Sequence, residues 1–154
     1  MNKYVCFIIL IIMSVLLSAR PFELVSKISH SKVLSFSAPN LDAIEKDGFI
    51  RLTTPEKGST IENGMPELPV FTSYFQMEPG ISYDVNYSVV SSHVIEDIEI
   101  YPYQGESVIG VEKPFLKNID FYNSNSNYPE IKLTVSDPMV MRDIEVSLIS
   151  LIPY

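Results

Sequence analysis

From residue 68 onward, apolar side chains recur at every second position of this 154-residue chain, and a period of two belongs to strands. Tyr83, Val85, Tyr87 and Val89 alternate with Ser82, Asp84, Asn86 and Ser88. Ile131, Leu133 and Val135 alternate with Lys132, Thr134 and Ser136, and Ile144, Val146 and Leu148 with Asp143, Glu145 and Ser147. Successive strand side chains point to opposite faces, so each run predicts one dry face and one wet face. Residues 70–77 and 95–101, rich in aromatic and β-branched side chains, read as further strands, and residues 32–36 and 49–52 as shorter ones. Turn signals separate the runs at Asp47-Gly48, Lys57-Gly58, Asn63-Gly64, Pro79-Gly80, Gln104-Gly105, residues 123–127 and Asp137-Pro138. No long amphipathic helix is visible; Asn40 could cap a single helical turn reaching Ile44, which Gly48 stops. The fold class predicted is all-β, an antiparallel β-sandwich with little or no helix outside the N-terminal segment. Pro69, Pro102 and Pro153 agree with it, since they fall at strand ends rather than strand centres.

The N-terminal segment is of a different kind. Lys3 precedes an almost unbroken apolar run over residues 4–17, followed by the small residues Ser18 and Ala19. That order is the mark of a secretory signal peptide, residues 1–19, cut after Ala19. The run falls short of the ~20 apolar residues a spanning helix needs, and Pro21 follows at once. The expectation is a secreted, periplasmic or cell-surface domain, residues 20–154, with no stable membrane anchor after signal cleavage. Cys6, the one cysteine, leaves with the signal. The mature segment then has no disulfide, no thiolate zinc site and no cysteine nucleophile. Its stability must come from packing, for which about 135 residues suffice.

Charge and chemistry narrow the function by exclusion. A formal net charge of -8 opposes phosphate backbones, so no nucleic-acid partner is expected, and an anionic membrane surface is disfavoured on the same ground. The only histidines are His30, in a polar stretch, and His93, behind two serines; both read as surface residues rather than as a catalytic base. No serine sits in a Gly-x-Ser-x-Gly turn. Glu96, Asp97 and Glu99 read as a solvated strand face, and Asp42, Glu45 and Asp47 as turn charges, without the oxygen-rich loop that calcium takes. No catalytic residue, metal ligand or cofactor is therefore assigned. Arg142, one of three arginines after residue 19, reads as a guanidinium tying a turn to a strand, with Asp137 and Asp143 available as partners. Residues 103–128, with Gly105, Gly110, Pro114 and an Asn/Ser run, form the one long connection without clear period; such a loop in a compact domain is usually functional or mobile.

Two motifs carry a family resemblance. The first is Gly64-Met65-Pro66-Glu67-Leu68-Pro69, in which Gly64 permits a left-handed turn, Pro66 and Pro69 stiffen an extended entry, and Leu68 is the apolar anchor between them. The second starts at Tyr128-Pro129, passes through Asp137-Pro138 and Arg142, and closes with a strand ending at Pro153-Tyr154. Taken together, and behind a signal peptide, they resemble the propeptide domain of gingipain-type cysteine peptidases over residues 49–154.

The resemblance implies a secreted zymogen: an all-β pro-region that docks in cis on a caspase-like cysteine peptidase domain, helps it fold and blocks its active site until cleaved. The catalytic Cys and His would lie downstream, so the segment itself would be non-catalytic. The family pattern runs on with Asn-Pro and further strands where this chain ends, which makes the chain read as a fragment or truncated product. The resemblance also suggests a basic inhibitory residue in the loop before the Tyr-Pro strand, where the cations are Lys113 and Lys117. Lys113 is the better placed, because Pro114 resists cleavage after it while fixing an extended backbone. The bland reading of both lysines is that they are solvated loop charges offsetting Glu106 and Glu112. The alternative for the whole chain is a free-standing secreted β-sandwich, an adhesion or ligand-binding module working through its tyrosine-rich faces.

Overall fold

The computed structural model describes residues 21–28, 31–55, 58–81, 83–106, 110 and 113–154. Residues 1–20, which hold the expected signal peptide with Cys6, and also His30, Lys57, Ser82 and Glu112, lie outside the described residues. The chain divides into two compact units, residues 1–38 and 39–154. The described part of the first is a hairpin of β1 (Phe22–Ile28) and β2 (Ser31–Phe36), paired antiparallel with a register shift between Leu24 and Ser26. Phe22 and Phe36 face each other at its open end, ring centroids 5.1 Å apart, so the hairpin is stapled where it enters and leaves.

The second unit opens with β3 (Asp42–Lys46) and β4 (Phe49–Thr53), an antiparallel pair in which Lys46 faces Phe49. Asp47 and Gly48 between them both hold positive φ, 53° and 82°, the pair of left-handed residues that a two-residue hairpin turn requires. The single helical turn expected from Asn40 is therefore a strand instead: once Asp47-Gly48 closes a hairpin onto Phe49, the preceding residues are drawn into its ladder, and pairing overrides a weak capping signal. The remaining elements are β5 (Phe71–Gln76), one short helix α1 (Ile119–Tyr122), β6 (Leu133–Val135), β7 (Met139–Met141) and β8 (Ile144–Leu151). β8 is the spine of a four-stranded sheet, with β5 along one side and β6 and β7 in succession along the other, every pairing antiparallel. The all-β antiparallel expectation holds.

The long β8 explains both a success and a failure of the alternation argument. Val146, Ser147 and Ile149 are all buried although they do not share one face, as the centre of a sheet with strands on both sides allows where both of its faces are shielded. Ser147, predicted wet, is 1% exposed, while Ile144, predicted dry, is 45% exposed beside the tip of the β7–β8 hairpin. That tip is Arg142-Asp143, with φ 49° and 64°, so Arg142 is itself the turn, its side chain exposed.

Two expected strands are absent. Residues 83–89 keep their alternation in sequence but pair with nothing as a strand, and Val85, Tyr87 and Val89 are 40%, 56% and 69% exposed rather than on a buried face. Alternation specifies a face; a strand also needs a neighbour for its main-chain groups, and no described strand takes that place. Residues 95–101 form no strand: they meet Ile50 in a parallel bridge at Ile100, and Asp97 at φ 57°, three residues before it, interrupts the extended path. His93 and the carboxylates Glu96, Asp97 and Glu99 are all exposed, as their surface readings had it.

Candidate functional site

The Gly-Met-Pro-Glu-Leu-Pro motif is buried from Gly64 through Pro69. Gly64 takes φ 77°, and a Cβ there would meet the backbone N of Asn118 at 3.0 Å, so both conformation and space demand glycine. The turn is tied on every side. Gly64 N donates to Tyr103 O at 2.8 Å, Tyr103 N to Met65 O at 2.8 Å, Asn118 N to Gly64 O at 2.9 Å, and Glu67 N to Tyr101 O at 2.8 Å. Thr60, itself buried, closes the other side: its hydroxyl donates to Pro66 O at 2.7 Å and accepts from Leu68 N at 2.9 Å. Missing prolyl N–H groups leave Pro66 and Pro69 only carbonyls to satisfy, which is why so tight a buried turn carries few orphan donors. The motif is thus a strut that grips residues 101–103 and 117–118, the two feet of the long connection.

Between those feet the loop is pinched by one side chain. The Gln104 amide donates from Nε2 to Pro102 O and Leu116 O, each at 2.8 Å, and accepts from Leu116 N at 2.8 Å. A neutral amide reading both main-chain groups of one residue is a bidentate clasp. It joins positions twelve residues apart and leaves the loop tip outside it.

Aromatic packing holds the outer foot. Phe49 stacks on Phe115 with centroids 5.7 Å apart and meets Tyr101 and Tyr122 edge-on at 6.3 and 6.2 Å. The Tyr122 hydroxyl donates to Ile100 O at 2.6 Å, and burial, with Glu99 adding to it, pushes that phenol up to about 12. Asn118 caps α1, its side-chain oxygen accepting from Phe121 N at 3.0 Å.

The two loop lysines differ in their surroundings. Lys117 is engaged: its ammonium bonds Glu99 Oε2 at 2.9 Å and sits 4.9 and 4.6 Å from the ring centroids of Phe49 and Tyr122. Lys113 is exposed on the loop beyond the clasp, with a hydrogen bond from its ammonium to Glu106 O, and exposed Pro114 follows it.

Of the other residues singled out from sequence, Tyr128 and Pro129 join this site. Their peptide bond is cis, the Tyr128 ring meets Phe121 edge-on at 5.7 Å, and its phenol is held above the ordinary tyrosine range, chiefly by burial, with the Thr60 side chain pulling the other way. Asp137 and Pro138 do not: they form the exposed link between β6 and β7, where the Ser136 hydroxyl accepts from Leu148 N at 2.9 Å and donates to Asp137 O at 3.0 Å. Arg142 lies at the hairpin tip beyond them. Sequence reasoning missed Gln104, Thr60 and Asn118; only Asn118 carried a local signal, as an Asn ahead of Asp120 at a helix start. Among the described residues no group of three or more His, Asp or Glu side chains could hold a metal ion.

Comparison with known proteins bears on this arrangement. The Propeptide_C25 family model matches residues 25–154. A search of curated proteins gives no match. Among solved structures, a chain of the complex of Porphyromonas gingivalis RgpB pro- and mature domains superposes with a TM-score of 0.67 at 23% sequence identity, covering 86% of this chain and 72% of that one. A chain from the structural study of zymogenic latency of gingipain K from Porphyromonas gingivalis gives 0.66 at 18% identity, covering 88% and 81%. At such identities the likeness is one of fold, and the family match spans both loop feet, the strut and the β8 sheet. The chain therefore belongs to the Propeptide_C25 family, and is a non-catalytic propeptide segment of a gingipain-type peptidase precursor.

Proposed function

We propose that the chain is the inhibitory and folding-assistant pro-region of a secreted caspase-like cysteine peptidase, that it acts in cis on the catalytic domain, and that Lys113 is the residue offered to the peptidase's specificity pocket. The observation that carries this is the contrast between the two loop cations: Lys113 is exposed beyond the Gln104 clasp, whereas Lys117 is bound to Glu99 and two aromatic rings. A peptidase that cleaves after basic residues is blocked by a basic side chain presented in substrate fashion on a backbone that resists turnover. Pro114 supplies the resistance, and the clasp holds the loop's two feet before docking, so less conformational freedom is lost on binding. The fold likeness to chains from a pro- and mature-domain complex and from a study of zymogenic latency supports the same reading. Export follows from the signal segment, residues 1–19.

The test is to titrate the cognate peptidase domain with the wild-type chain and with Lys113→Ala, Lys117→Ala and Gln104→Ala. Lys113→Ala is expected to weaken inhibition most, with Gln104→Ala next, because a released loop presents the same lysine at a greater entropic cost. Equal inhibition constants for wild type, Lys113→Ala and Lys117→Ala remove the loop lysines from the mechanism and leave surface docking to account for latency.

A further inference from the structure

From Asp84 to Ile98 every residue is exposed, and among the described residues none of their main-chain groups is hydrogen-bonded to another part of the chain. The stretch is held only at its ends, where Ile81 N donates to Glu78 O at 3.1 Å and Glu99 O accepts from Ile50 N at 2.8 Å. An exposed connection of this kind is ordinarily rich in glycine, proline and small polar residues. This one has no glycine or proline and carries Val85, Tyr87, Val89, Val90, Val94 and Ile95, each at least 40% exposed. It bends only at Val90 and at Asp97, and apart from Asp97 no residue in it has positive φ. Its residues are strand formers with a strand's alternation, and what they lack is a ladder partner. Pairing with a second strand would replace main-chain bonds to water and cover apolar side chains at the same time.

Charge selects the occupant. Asp84, Glu96 and Asp97 lie in the stretch without a lysine or arginine, and the whole chain has a net charge of -8. A second copy would set like charge against like, whereas a strand bearing lysine or arginine meets opposite charge. Position narrows it further. The stretch runs directly into the foot of the loop that carries Lys113: Glu99 bonds the Lys117 ammonium at 2.9 Å, and Ile100 O accepts from the Tyr122 hydroxyl at 2.6 Å. Loop and stretch share one anchorage, so a body held by the first meets the second at high effective concentration. Resting on the reading that the chain docks on a peptidase domain, we infer that residues 84–98 are a docking strand, pairing main chain to main chain with a basic edge strand of that domain.

Binding is measured by biolayer interferometry on the cognate peptidase domain, its active-site thiol alkylated with iodoacetamide so that the chain is not cut, and inhibition is measured in parallel on the unmodified domain. Adjacent N–H groups of an extended chain point to opposite sides, so Tyr87→Pro and Ser88→Pro between them remove a donor on either side. At least one of the two is expected to weaken binding about tenfold. Both keep the wild-type unfolding midpoint, since neither N–H is bonded within the chain. Glu96→Lys weakens binding roughly threefold at low salt and less at high salt. On the unmutated chain, hydrogen exchange of amides 84–98 is fast when free and slows at least about tenfold in the complex. Two proline variants that bind as wild type, or amides that exchange equally fast free and bound, overturn the docking strand while leaving inhibition through Lys113 standing. Binding indifferent to Glu96→Lys overturns the basic occupant. A wild-type chain that neither binds nor inhibits the peptidase overturns the docking strand together with the reading beneath it.

Discussion

Arg51 and Glu67 meet through a 2.7 Å hydrogen bond from the guanidinium Nη2 to the carboxylate Oε1, tying the middle of β4 to the middle of the buried strut. The pair is lopsided: the Glu67 side chain is 10% exposed and the Arg51 side chain 39%. The guanidinium also lies 5.7 Å from the Tyr101 ring centroid, and its bond to Glu67 raises its already high pKa, so it stays charged throughout the ordinary pH range.

That lopsidedness predicts unequal single mutants. Arg51→Ala strips a largely buried carboxylate of its cation and is expected to cost about 2 kcal/mol, whereas Glu67→Gln keeps a hydrogen-bonding oxygen and costs about 1 kcal/mol. Urea unfolding midpoints of the two variants check the order, and a more stable Arg51→Ala than Glu67→Gln would contradict it.

Gly64→Ala is expected to destabilise by about 1–3 kcal/mol, because alanine is strained at φ 77° and its methyl group meets the Asn118 backbone. Gly48→Ala is the control for conformation without crowding, since a Cβ there has nothing within 4 Å. Thermal unfolding of the two variants should place Gly64→Ala clearly below Gly48→Ala.

Stability should fall with alkali in a defined window. Burial raises the folded-state pKa of Tyr122 from 10.0 to about 12, and that of Tyr154 likewise to about 12. A phenol whose folded pKa is raised contributes stability that is complete below pH 10 and is lost as the pH climbs through about 12, since the unfolded chain ionises first. Tyrosinate absorbance should show late-titrating phenols, and Tyr122→Phe should remove part of the loss above pH 10 while costing about 1 kcal/mol near neutrality for the hydrogen bond to Ile100 O.

Val85→Asp, which a buried sheet position would make ruinous, is expected to change stability by less than about 0.5 kcal/mol, because Val85 is 40% exposed. A shift in the unfolding midpoint equivalent to 2 kcal/mol or more would put residues 83–89 in a sheet core after all.

Val85 and Phe71 mark the two ends of what was readable from the chain. The β5 segment was legible from its aromatic and β-branched side chains, β6 and β8 from an alternation that coincides with partners in the same sheet although Ile131, Val135 and Ile144 of the predicted dry faces are exposed, and Asp47-Gly48 because two left-handed residues admit few turns. Residues 83–89 have the same local pattern without the neighbour, and no local pattern records whether a neighbour exists. The β3 strand was hidden for the opposite reason: its Asp-Ala-Ile-Glu-Lys sequence has little strand character and owes its form to β4. In the site, Gly64, Pro66, Leu68 and Pro69 announced a constrained turn, but the Gln104 clasp left no trace, since a lone glutamine is ordinary anywhere and its meaning comes from Leu116 arriving beside it.

The Gln104 clasp reads only the main chain of Leu116 and Pro102, and so places no demand on which side chains fill the loop between them. Inside the clasp two positions remain tied to the scaffold, Phe115 by its ring's contacts with Phe49 and Tyr101 and Gly105 by its φ of 72° beside Asn63, and only the residues between these two are free of such demands from the strut, the aromatic foot and the β8 sheet. A holder that grips main chain alone at the loop's neck can carry tips of different sequence, so the loop is an interchangeable cassette whose replacement leaves the neck hydrogen bonds in place.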